Sequence, residues 1–168
     1  MSKPYSDPIL QKYIDLIKAN CGDFKAFYQG EPVRIPNSSL PALLISKRQT
    51  QVGPLSNAED GHQMGITITV IVDVRKDLST EESIPAVTNG VATLYDIMEG
   101  RNEDYTLKDG SILDILRTNL LVDDVHQLRT DLDSVTRVDY GTTLRDRPAG
   151  EWYIEASVDF VCTFVQVR

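Results

Sequence analysis

The sequence predicts an α+β fold in which helices pack on a sheet and a long hairpin projects from it. Three observations predict it. Apolar residues recur at helical spacing over residues 8–21 and again over 84–99. They alternate at strand spacing from Ile66 to Val74, and again over the closing run from Trp152 to Val167. At 168 residues the chain suits a single domain, residues 1–168. Area scaling lets such a chain bury about 70% of its unfolded surface, so no disulfide or metal is needed to hold it.

The first helix, residues 8–21, opens at Asp7, whose carboxylate can cap the exposed amides of the first turn. Pro8 follows where a missing N–H costs nothing. Leu10, Ile14, Ile17 and Cys21 form its stripe, Tyr13 and Leu16 widen it, and Gly22 is the expected stop. From Phe24 to Pro41 the chain reads as irregular, punctuated by Gly30, Pro32, Pro36 and Pro41. Strands are expected over 42–47 and 65–75, the second with Ile66, Ile68, Val70, Val72 and Val74 on one face. The polar stretch Ser46–Gly65, with turn signals at Gly53-Pro54 and Asp60-Gly61, joins them as a long hairpin whose tip stands away from the body.

The spacing predicts a second helix over 84–99, with Ser83 as cap, Pro85 in the first turn and Gly100 as stop. Its buried stripe is Val87, Val91, Leu94, Tyr95 and Met98. A weaker helical stretch over 111–120 rests on Ile112, Ile115 and Leu116, and Leu121–Leu132 reads equally as helix or strand. Strands over 134–140 and 151–167, with a turn around Arg147-Pro148-Ala149-Gly150, close the chain.

In the last strand Trp152, Ile154, Ala156, Val158, Phe160, Cys162 and Phe164 share one face. The other face begins polar at Glu155, Ser157 and Asp159 and turns apolar at Val161, Val165 and Val167. About 17 residues at ~3.3 Å each span about 56 Å, whereas a compact chain of this size is roughly 40 Å across. The strand must therefore bend, break or extend beyond its own domain. Apolarity on both faces near its end calls for a covering layer or a second subunit.

Composition excludes more than it proposes. The net charge is −8, from 17 Lys and Arg against 25 Asp and Glu, so no global field attracts phosphates and nucleic-acid wrapping is disfavoured. The opening residues, Met1 to Asp7, lack the apolar core of a signal peptide, and no apolar run reaches membrane-span length. A soluble protein made inside the cell, without a membrane partner, is expected. Cys21 and Cys162 have no CxxC spacing and no neighbouring His, and read as two buried thiols in preference to a bridge.

No cofactor is expected. The ten glycines are scattered, with no GxGxxG or GxxxxGK to point amides at a phosphate. His62 and His126 are too few for a metal centre or a nucleophilic triad without further signals. Asp123-Asp124 and Asp131-x-Asp133 could bind a divalent cation or exchange protons, but they lack the glycine-bent loop of one role and the apolar pocket of the other. Accordingly, no catalytic, cofactor-binding or metal residue is assigned. The segment Glu99–Asp133 holds nine acidic and four basic residues, a density that in a ring would line a lumen repelling DNA phosphates.

The closing sequence carries a resemblance. Val138-Asp139-Tyr140, a polar turn, Arg147-Pro148-Ala149-Gly150-Glu151 and then Trp152-Tyr153-Ile154-Glu155-Ala156-Ser157-Val158-Asp159-Phe160 resembles the ending of the tail terminator, or tail-completion, proteins of tailed bacteriophages. The opening helix, Pro8-Ile9-Leu10-Gln11-Lys12-Tyr13-Ile14, is similar too. The resemblance implies a mixed, mainly antiparallel sheet with two to three helices packed on one face. It implies a structural virion protein and no enzyme: a homo-oligomeric ring, a hexamer in that family, that caps the tail tube, ends its polymerisation and joins tail to head.

The partners so implied are the tail tube protein, a head-completion or connector protein, and DNA in non-specific passage. The implied location is the head-facing end of the tail, after assembly in the host cytoplasm. Carried onto this sequence, the subunit or tube interface falls on Ile66, Ile68, Ile71, Val161, Val165 and Val167. The lumen-facing acids would be Asp123, Asp124, Asp131 and Asp133, in a ring where six copies at −8 each carry −48. Another neck or tail connector subunit is the near alternative. A small acidic enzyme or ligand-binding domain working through Asp123 or Asp131 is the distant one.

Overall fold

Asp7 opens helix α1 (Pro8–Asn20) as its sequence dictates, its Oδ1 accepting from the Ile9 and Leu10 amides at 3.0 and 3.2 Å. The computed structural model describes residues 6–32, 34–74, 88–147 and 151–168. Further along come β1 (Ala26–Gln29), β2 (Ala42–Pro54), β3 (Glu59–Asp73), α2 (Thr88–Glu99), α3 (Ile112–Thr118), β4 (Leu121–Asp123), β5 (Leu128–Thr130), β6 (Val138–Arg147) and β7 (Glu151–Val167). The expectations placed on Ser83, Pro85, Val87, the Pro148–Gly150 turn and the Trp152 side chain lie outside the described residues.

The seven strands form one sheet in the order β1-β2-β3-β7-β5-β4, with β6 paired to β7 beside β5. Among the described residues only β1 and β2 run parallel; the other pairs are antiparallel. The three described helices cover one face, so the expected α+β architecture holds. Period-2 alternation sends Met64, Ile66, Ile68, Val70 and Val72 of β3, with Ile154, Ala156, Val158, Phe160 and Cys162 of β7, into one core under Leu10, Tyr13, Ile14 and Ile17 of α1. Tyr13 packs its ring 5.0 Å from Phe160 and satisfies its buried hydroxyl on Thr130 Oγ1 at 2.9 Å. Each such apolar side chain stabilises the fold by roughly 1.5–3 kcal/mol. Both cysteines are buried thiols, unbridged, and burial pushes Cys162 up to about 11.

A second, smaller core lies on the opposite face. There the loop from residue 34 to 41 folds Ile35 and Leu40 over Ala42, Leu44 and Ile71. This explains why the run Ala42-Leu43-Leu44-Ile45 is apolar at every position: both of its faces are covered.

Five expectations need correction. Residues 24–41 contain β1, a four-residue strand without alternation because all its side chains are only half-buried. The hairpin strands do not stop at 47 and start at 65; they continue through the polar stretch to Pro54 and Glu59, since a ladder of backbone hydrogen bonds needs no apolar face. Helix α1 ends at Cys21 in extended backbone rather than through Gly22. Tyr95 is half exposed and Ile97 takes the buried place, because α2 is rotated so that Tyr95 meets Tyr140 edge-on at 4.8 Å. The ambiguous Leu121–Leu132 is the β4–β5 hairpin, while β6 begins at Val138, after a 3-10 turn at Leu132–Ser134.

Gly110 is fixed by geometry. Its φ is +83°, and a Cβ there would meet the carbonyl oxygen of Asn20, the last residue of α1, at 2.8 Å. Gly110→Ala is expected to cost about 1–3 kcal/mol by strain and collision, read as a lowered urea midpoint. An unchanged midpoint would contradict the close approach of this loop to α1.

Candidate assembly surface

The length of β7 is resolved by extension beyond the core. Past Ser46 the residues of β2 are exposed on both faces, and β3 is little covered until Met64. From Lys47 to Pro54 the hairpin therefore projects by roughly 26 Å at strand rise. The far end of β7 runs beside it, Glu59 pairing Val167 and Gly65 pairing Val161, to make a three-stranded arm. The tip is tied down by Arg168, whose amide donates to the Ala58 carbonyl at 2.8 Å and whose guanidinium pairs with Asp60.

A bulge sets which side chains the arm displays. Arg48 is an extra residue between Lys47, opposite Ile66, and Gln49, opposite Gly65. Lys47 still faces the helices and pairs with Asp7, whereas Arg48 reaches Asp159 on the open face at 3.4 Å. Beyond the bulge the parity is switched, so Val52, His62 and Phe164 form one cross-strand row on the helix side. His62 stacks on Phe164 at 4.6 Å and shares a 3.0 Å hydrogen bond with Gln166.

The expected interface residues divide. Ile66 and Ile68 are fully buried in the main core and Ile71 in the smaller one, so these three are corrected: the chain's own helices and loop occupy the face they present. Val161 and Val165 are half-buried, and Val167 is 71% exposed at the end of the arm. The 3-10 turn after β5 pairs with the edge of β7 at Val161. Asp131 N donates to Val161 O and Ser134 Oγ accepts from Val161 N, each at 2.8 Å.

The expected lumen acids are engaged locally. Asp123 lies between Lys12 at 3.4 Å and His126 Nδ1 at 2.9 Å, and the His126 hydrogen bond holds its carboxyl below the usual range. Asp124 accepts from Gln127 Nε2 in the tight β4–β5 turn, where Gln127 has φ +51°. Asp131 caps the 3-10 turn through Asp133 N at 3.1 Å, and Asp133 is exposed. Turn-making accounts for the first three as written in their spacing. Among the described residues no group of three or more His, Cys, Asp or Glu could hold a metal, and no helix is long and apolar enough to cross a membrane.

Two adjoining concavities share Phe164 and Val165. One, of about 510 Å³, is mainly apolar and is lined by Pro8, Ile9, Lys12, Val125, His126 and Val167 among others. The other lies over Gly53 and Gly61 beside Leu55 and Arg129. Val52 and Leu55 are more than half exposed at the tip, and Val125 is 84% exposed on the β4–β5 turn. These residues escape sequence reasoning because each stands alone in a polar stretch. The available signal is an isolated large apolar residue beside a Gly-Pro or Asp-Asp turn. No family model matches the sequence, and no curated protein matches it.

Proposed function

We propose that the chain is a ring-forming assembly protein of the tail-terminator type, a structural virion component that caps a tail tube, ends its growth and joins tail to head. The observation that carries this reading is the arm. It has little core of its own, so it contributes little to the stability of one copy and offers both its faces to neighbours. Beyond Ile45 the outer edge of β2 has no strand partner among the described residues, and neither has the outer edge of β6. These edges lie on opposite sides of the β3–β7 pair. Opposite edges support head-to-tail contacts, which close into rings when the rotation between copies permits. The resemblance of the closing strands to tail terminators supplies the setting, with the tube protein and a head connector as partners.

Electron microscopy of the purified chain, alone and with phage tail tubes, is expected to show rings or capped tube ends. A protein that stays monomeric and leaves tube ends bare overturns the reading. Val52→Lys, on the exposed arm, is expected to change stability by no more than about 0.5 kcal/mol while abolishing rings. Rings of unchanged diameter in that variant would remove the arm from the interface.

A further inference from the structure

We draw no further inference here: the strongest candidate, the apolar groove between the first turns of α1 and the β4–β5 turn beside Phe164 and Val167, has the mutually paired Lys12 and Asp123 as its charged lining, and nothing in the structure shows what covers it.

Discussion

Ile68→Asp is expected to destabilise the chain by more than about 4 kcal/mol, enough to unfold it at ordinary temperature. Ile68 has no exposed surface, sits at the centre of β3 between Ile45 and Val158, and faces the helices. The substitution removes buried apolar surface and strands a carboxylate with no cationic partner in an apolar core. The readouts are a urea titration followed by circular dichroism and a size-exclusion profile. Val167→Asp, at the exposed end of the arm, should by comparison shift stability by no more than about 0.5 kcal/mol. A folded Ile68→Asp with a parental midpoint would return Ile68 to the surface role first expected of it.

Asp7→Ala is expected to remove about 2 kcal/mol or more. Asp7 is buried, caps α1 through two amides and pairs with Lys47 of β2, so one side chain joins the helix start to the root of the arm. Loss of the cap alone costs about 1–2 kcal/mol. The lost pairing adds to it, moderated because Lys47 is partly solvated. Burial raises the Asp7 carboxyl, but the Lys47 hydrogen bond and the Leu10 and Ile9 amides outweigh it, and the net displacement is downward.

Since the folded value lies below the unfolded one, the contribution is complete above the ordinary carboxylate range. It is lost as the pH falls from there through the folded value. Urea midpoints taken from pH 7 down to pH 3 should therefore drop more steeply in the parent than in Asp7→Ala. Parallel curves would show that Asp7 is not the group linked to acid unfolding. Combining Asp7→Ala with Lys47→Ala isolates the coupling between helix and arm.

Strong local signals were legible without coordinates. Asp7-Pro8 announced the start of α1, and the alternation of Ile66–Val74 and Ile154–Cys162 placed the main core on one face of each of these strands; the weaker helical spacing over 111–120 corresponds to α3. The length of β7 required the strand to bend, break or extend beyond the globule, and the structure shows the extension. Weak local signals misled. β1 is four residues long and takes its conformation from its parallel neighbour, and the β4–β5 hairpin is made by turn hydrogen bonds among polar residues. The hairpin extension from 47 to 65 has no periodicity, because a segment solvated on both faces has no reason to sort its residues.

What the sequence determined by itself is the set of elements that bury a face: alternation and helical spacing record which side chains must leave water. It also recorded the caps, because a carboxylate or hydroxyl before a first turn meets amides only a few residues away. Only the tertiary structure decided which apolar residues remain for neighbours. Ile66, Ile68 and Val167 have the same chemistry, and it is the packing of α1, α2 and α3 on one half of the sheet that hides the first two and leaves the third exposed. It likewise brought Gly110 against Asn20 at the end of α1, and Pro8 and Ile9 at its start beside Phe164 and Val167, relations between distant residues that rest on sheet order and helix placement.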